Sequence, residues 1–264
     1  MRIVRFALAD QIAYGVVEGD ADDHASLTVT AIDGHPFAAF DRTSVTLPLS
    51  QVRVLPPVLP SKVIGIGKNY VDHAREMGGE APATPVMFLK PSTAVIGDGD
   101  PIVLPPQSRQ VEYEGELAVV IGRLAREVPL DRAAEAILGY TCANDVTARD
   151  LQRSDGQWTR AKGFDSFAPL GPWIVTDVDV SDVVIQTRLD GEVVQSGRTS
   201  QMVHSVAEIV AFVSETMTLL PGDVILTGTP AGVGPIRGGQ RVSVSVAGVG
   251  TISNPVVGND EETT

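Results

Sequence analysis

The chain has 264 residues, 43% of them hydrophobic, and a single cysteine, Cys142. That length supports one large domain, or a large domain with a small appendage, around a sizeable core. A net charge of −13 argues against nucleic acid or an anionic membrane as a partner, and one cysteine excludes an intrachain disulfide and a thiolate metal cluster.

The N-terminus, Met1-Arg2-Ile3-Val4-Arg5-Phe6, alternates apolar and basic residues like a strand and lacks the apolar centre of a secretory signal. No apolar run is long enough to span a bilayer, so the expected location is cytoplasmic. Residues 1–57 are predicted to form a small β-rich domain, with turns at Asp33-Gly34 and around Pro48. Pro56-Pro57 and Pro60 mark a stiff connection. The main domain is expected over 58–258 and opens with the buried-strand pattern Val63-Ile64-Gly65-Ile66-Gly67. Residues 117–121, 173–176, 183–189, 224–227 and 241–246 also read as strands. A short helix is predicted over 131–138, stopped by Gly139. A longer helix is predicted over 202–220, where Val203, Val206, Ile209, Val210, Val213 and Met217 recur at helical spacing before Pro221-Gly222. Residues 259–264 are polar and expected to form a frayed tail. The pattern describes a β-rich α+β protein.

The segment Val111-Glu112-Tyr113-Glu114-Gly115-Glu116-Leu117 is the most informative. On a strand, Glu112, Glu114 and Glu116 share one face, and like charges so placed repel. Apolar residues follow, so the strand is entering a core, where carboxylates need a compensating cation. A solvated edge strand with a charged face is the competing explanation. A second segment, Asn144-Asp145 followed by Ala148-Arg149-Asp150, puts Asp145 at the end of a strand, where it serves as a ligand or as an ordinary turn residue. Oxygen donors with neither Cys nor His among them suggest Mg²⁺, Mn²⁺ or Ca²⁺ rather than zinc.

Seven blocks then occur in one order: Gly67-Lys68-Asn69-Tyr70 with Asp72-His73 and Glu76-Met77; Phe88-Leu89-Lys90-Pro91; Tyr113-Glu114 with Glu116-Leu117; Asn144-Asp145 with Ala148-Arg149-Asp150; Ala161-Lys162-Gly163-Phe164-Asp165; Pro169-Leu170-Gly171-Pro172; and Pro221-Gly222-Asp223 with Thr227-Gly228-Thr229-Pro230. In this the chain resembles the fumarylacetoacetate hydrolase superfamily, over almost all of residues 62–257. The resemblance implies a mixed β-sandwich or roll assembled as a homodimer. It implies that Glu114, Glu116 and Asp145 hold Mg²⁺ or Mn²⁺, with Ca²⁺ as a substitute, and leaves Glu112 outside the ligand set. It also implies that His73 and Glu76 form a catalytic pair on a mobile segment, and that Lys162 faces the substrate. Arg149, Gln152 and Thr229 are implied to contact substrate, and Lys68, where relatives vary, to tune its distal end. Without the resemblance, His73 reads as a surface helix residue and Arg149 and Gln152 as an exposed polar network.

Reactions of this family share an enol or enolate next to a carboxylate, stabilised by the metal as charge develops on oxygen. The expected substrate is therefore a small 2-oxo or 2-hydroxy-dienoic acid. Its reaction is hydrolysis of an acylpyruvate or isomerisation of 2-hydroxyhepta-2,4-diene-1,7-dioate in aromatic catabolism, with oxaloacetate decarboxylation as the alternative. A non-catalytic metabolite-binding module is a remoter reading, since His73 and Glu76 are both retained; a purely structural protein leaves the carboxylates unexplained. Gly65-Ile66-Gly67 is no dinucleotide fingerprint, because Tyr70 stands at the third glycine position. The chain also has neither a P-loop ending after Gly228 nor a Gly-x-Ser-x-Gly elbow.

Overall fold

The computed structural model describes residues 1–20 and 23–258, and the predicted tail over 259–264 lies outside the described residues. Among the described residues the strands form sheets of twelve, five and three members. Four α-helices accompany them: α1 (Val71–Glu76), α2 (Arg149–Asp155), α3 (Thr159–Lys162) and α4 (Val206–Thr216). The strand-rich α+β class expected from the sequence holds.

The strand Gly115–Ile121 is central and buried throughout. Ile137–Asn144 pairs with one edge and Val224–Leu226 with the other, both antiparallel. A strand paired on both edges and packed on both faces has no solvent face, which is why its apolar run does not alternate. Leu117 joins Cys142, Trp173, Ile185, Val244 and Ile252, between the large sheet and the five-stranded one. Val119 and Ile121 continue that face onto Ile209, Val210 and Val213 of α4. Ala118 and Val120 pack on the other side with Val58, Val63 and Leu170. Each such fully buried aliphatic side chain contributes roughly 1.5–3 kcal/mol.

Strands Arg2–Leu8, Gln11–Glu18, Thr28–Gly34 and Phe40–Pro48 form an antiparallel meander. It continues the large sheet, since Arg2 and Ile3 pair with Val175 and Ile174 of the strand Ala168–Val175. Val4, Phe6, Val17 and Val29 accordingly share one core with Leu117.

Two predicted helices are corrected. Residues 131–138 do not form an α-helix: Leu130–Ala136 is 3₁₀ and Ile137 already opens a strand. Gly139 does not stop a helix but lies opposite Val120 within that strand, where a Cβ would meet the Val175 carbonyl oxygen at 2.3 Å. A seven-residue segment makes few internal hydrogen bonds, and sheet pairing outweighs them. The long helix is shorter than its apolar pattern. Ser205 caps α4 in a reciprocal box with Glu208. Ahead of the cap, the amides of Val203 and His204 bond to the Asn69 backbone and side chain, each at 2.8 Å.

Candidate active site

The carboxylates stand where one sheet hands over to another. The predicted single strand through Glu112, Glu114 and Glu116 breaks at Glu114: Val111–Tyr113 belongs to the three-stranded sheet, and Gly115–Ile121 to the large one. Asn144 and Asp145 repair the break. The Asn144 side-chain oxygen accepts from the Glu114 amide, and the Asp145 amide donates to the Glu114 carbonyl, both at 2.9 Å. The Asn-Asp pair thus supplies the ladder bonds that a bent strand cannot make, and brings Asp145 beside the glutamates. Carboxylate oxygens of Glu114, Glu116 and Asp145 lie within 4.8 Å of one another, and all three residues are buried.

Glu112 is not part of that group. Its carboxylate accepts from Arg149 Nε at 2.7 Å and from Gln110 Nε2 at 2.6 Å. Arg149 also reaches the break, where its Nη2 donates to Glu114, while its Nη1 donates to Gln152 Oε1 at 2.5 Å. Lys162 Nζ donates to Glu114 Oε2 at 2.9 Å and to Asp145 Oδ2 at 2.6 Å, and sits 4.9 Å from the centre of the Phe88 ring. Lys90 Nζ pairs with the other oxygen of Asp145 and with the Val146 carbonyl at 3.0 Å.

Four buried carboxylates therefore face three buried cations, and the shortfall falls on Glu116. Glu116 is 1% exposed, accepts one hydrogen bond from the Gly228 amide at 2.7 Å, and has no ion pair among the described residues. Burial, with repulsion from Asp145 and Glu114, pushes its pKa well above the carboxylate range. Burial acts the same way on Glu114, but Lys162 and Arg149 outweigh it and hold that carboxyl well below the range. Burial would also depress Lys162, yet Asp145 and Glu114 reverse this and keep it protonated; for Lys90 burial prevails and its pKa is lowered. A buried, uncompensated carboxylate beside two others, with oxygen donors only, fits a hard divalent cation.

The cluster opens into a cavity of about 170 Å³, which His73, Gln152, Lys68 and Thr229 also line. His73, on α1, is 5% exposed, and its Nδ1 lies 3.2 Å from Glu76 Oε2. Both oxygens of Glu76 accept from the Gly232 amide, at 3.1 and 3.2 Å. The loop over 227–232 thereby touches both halves of the site, through Gly228 to Glu116 and through Gly232 to Glu76. Gln195 fastens its middle: Nε2 donates to Thr229 Oγ1 and to the Pro230 carbonyl, both at 2.6 Å, and Oε1 accepts from the Gly115 amide at 3.1 Å. A larger groove of about 980 Å³ lies elsewhere, by Arg2, Trp173 and Val246. Its charged groups include ion pairs already closed, Glu18 with Arg42 and Asp177 with the N-terminus.

All ten residues singled out from the sequence line this cavity, except Glu76, which reaches it through His73. Lys90 and Gln195 were not singled out as site residues. Lys90 had a visible signal, a lysine closing the apolar run Met87-Phe88-Leu89 ahead of Pro91. Gln195 had none, because it arrives from the five-stranded sheet.

Buried carboxylates, two lysines and a histidine–carboxylate pair around one cavity describe an enzyme for a small molecule. Residues 62–257 match the fumarylacetoacetate (FAA) hydrolase C-terminal family, and residues 1–57 match the Rv2993c-like N-terminal family. The chain belongs to the fumarylacetoacetate hydrolase family. It is 53% identical over 260 residues to protein Rv2993c of Mycobacterium tuberculosis, covering 97% of this chain and 98% of that one. The crystal structure of 2-hydroxyhepta-2,4-diene-1,7-dioate isomerase from Mycobacterium marinum superposes with a TM-score of 0.92 at 52% identity, covering 97% of this chain and 98% of that one. The human mitochondrial oxaloacetate tautomerase FAHD2A is 45% identical over 224 residues, covering 80% of this chain and 71% of that protein. No helix among the described residues is long and apolar enough to cross a membrane.

Proposed function

We propose that this chain is a divalent-metal-dependent enzyme that forms an enolate from a small 2-oxo or 2-hydroxy-dienoic acid, by hydrolysis of an acylpyruvate or isomerisation of 2-hydroxyhepta-2,4-diene-1,7-dioate. The observation that carries this reading is Glu116, a buried carboxylate without a cation, beside Glu114 and Asp145 at the wall of a cavity. Glu114, Glu116 and Asp145 would hold Mg²⁺ or Mn²⁺, which when bound would supply positive charge to stabilise the developing enolate. Lys162, kept protonated by its two carboxylates, adds a fixed positive charge facing the same space. Arg149 is engaged by Glu112 and Glu114 and holds Gln152 toward the substrate. A proton on His73 Nδ1 directed at Glu76 leaves Nε2 as the acceptor. That nitrogen takes a proton from water in hydrolysis, or from carbon in isomerisation. In this reading residues 1–57 form a small unit appended to a catalytic domain over 58–258, and the protein works in the cytoplasm in aromatic catabolism.

The human relative favours a second reading on the same site, in which oxaloacetate is the substrate and is tautomerised; decarboxylation of oxaloacetate is the alternative raised by the sequence. A panel of acetylpyruvate, oxaloacetate and hydroxymuconate-type diacids, each with Mg²⁺ and with EDTA, decides between them. Metal-dependent turnover of at least one is expected, and the best substrate selects the reading. Absence of turnover on every member with metal present would sink both.

The assembly proposed is a homodimer with the site near the interface. Sedimentation at micromolar concentration is expected to give twice the 27.8 kDa chain mass, and a monomer there counts against it.

A further inference from the structure

Resting on the reading of the cavity as a substrate site, we infer that Lys68 and Arg153 form a second carboxylate subsite at its rim, so that the chain selects 2-oxo and 2-hydroxy-dienoic diacids over monoacids. The cations that line the cavity fall into two groups. Lys162 and Arg149 lie deep and are neutralised by Glu114, Asp145 and Glu112. Lys68 and Arg153 also line it, and neither has an ion pair among the described residues. Arg153 is exposed and donates only to the neutral Gln110 Oε1, at 2.6 Å. Lys68 is half-buried and has no hydrogen-bond partner among the described residues. Lys68 and Arg153 are therefore the lysine and arginine lining this cavity that have no ion pair among the described residues.

The two residues come from separate elements. Arg149 and Arg153 are four apart on α2, so they share a face separated by one helical turn, about 6 Å along the axis. That face passes from the buried Arg149 through the half-buried Gln152 to the exposed Arg153, from the carboxylate cluster outward. Lys68 directly follows the strand Val63–Gly67, with a left-handed φ of 56°. A lysine normally avoids that conformation, and here it turns the chain toward α1. The same cavity also has apolar lining, from Ile66, Met77 and the Trp158 indole. Gly67 makes room for the indole, since a Cβ there would lie 2.6 Å from Trp158 Cζ3. Buried polar groups, apolar lining and two cations without ion pairs suit an unsaturated carbon chain with a carboxylate at each end. A terminal methyl leaves two rim cations without a partner. A terminal carboxylate meets a guanidinium able to bind it with two parallel N–H donors.

Two unreactive 2-oxo acids of equal length test this by calorimetry on the Mg²⁺-loaded full chain: 2-oxoadipate, and 2-oxohexanoate, in which a methyl replaces the distal carboxylate. The diacid is expected to bind at least about tenfold more tightly at low salt, with the preference shrinking as salt is added. Arg153→Met and Lys68→Met should each remove most of that preference by weakening the diacid, leaving the monoacid within about twofold. Arg153→Lys should recover part of it, and Arg153→Glu should reverse it. Equal binding of the two acids by the unmodified chain overturns the subsite. So does equal loss of both acids in the two methionine variants, which would assign Lys68 and Arg153 to holding the loops. If neither acid binds with Mg²⁺ present, the reading of the cavity itself fails and the subsite falls with it.

Discussion

His73→Ala is expected to slow acylpyruvate hydrolysis by about 10²–10⁴, the usual cost of losing a general base. Its Mg²⁺ affinity should stay within a few-fold, because the imidazole bonds to Glu76 and is not one of the three clustered carboxylates. Decarboxylation of oxaloacetate needs no attacking water and should fall less. Comparing the two reactions in one variant therefore separates proton transfer from closure. Equal losses would mean that His73 chiefly positions α1, through Glu76 and the Gly232 amide. Loss of Mg²⁺ binding would overturn the assignment of the pair altogether. Glu76→Gln tests the same pair from its other side. It keeps an acceptor for the Gly232 amide but removes the carboxylate that faces His73 Nδ1, so it should reproduce part of the hydrolytic loss without unfolding α1.

The second large effect is expected from Glu116→Gln. With Mg²⁺ at 100 times its dissociation constant, the unmodified chain should gain about 2.7 kcal/mol of stability, and the variant little or none. Without divalent ions the order should reverse at high pH, for a reason visible in the site. The Glu116 pKa is raised in the folded state by burial and by Asp145 and Glu114, so the folded chain binds a proton that the unfolded chain releases. Stability from this group is fully present below the unfolded carboxylate pKa and is lost as pH rises through the folded one. Glu114 acts with the opposite sign: its folded pKa is depressed, so its contribution is present at neutral pH and lost on acidification. Glutamine at 116 removes the alkaline loss, keeps an acceptor for the Gly228 amide, and leaves the acid loss in place. Urea unfolding from pH 9 down to below the unfolded carboxylate pKa of about 4.3, with EDTA and with Mg²⁺, reads both effects. Identical pH dependence in variant and unmodified chain, or indifference of the unmodified chain to Mg²⁺ and EDTA alike, would remove Glu116 from the metal site.

Much of the site was legible in the sequence because its chemistry is concentrated in short segments. Three glutamates at alternate positions entering an apolar run require compensation wherever they fold, and Asn-Asp at a strand end is a local signal. The strand Gly115–Ile121 was equally readable, since an unbroken apolar run of strand length needs cover on both faces. Tertiary structure decided the rest wherever a residue's role is set by a partner distant in sequence. The strand through the glutamates breaks at Glu114, because Asn144 and Asp145 supply its hydrogen bonds from 30 residues away. Gly139, a plausible helix stop, became a strand residue because Ile137–Asn144 gains more from pairing with Gly115–Ile121 than a seven-residue turn gains alone. Lys90 and Glu112 differ from surface charges only in what surrounds them, Asp145 in one case and Arg149 in the other. Gln195 reaches Thr229 from another sheet, and no local spacing encodes that contact. The sequence by itself determined the chemical types available and the short-range geometry that groups them. Only the tertiary structure decided which charges neutralise one another, because Coulomb energy and desolvation depend on distance through space, not along the chain.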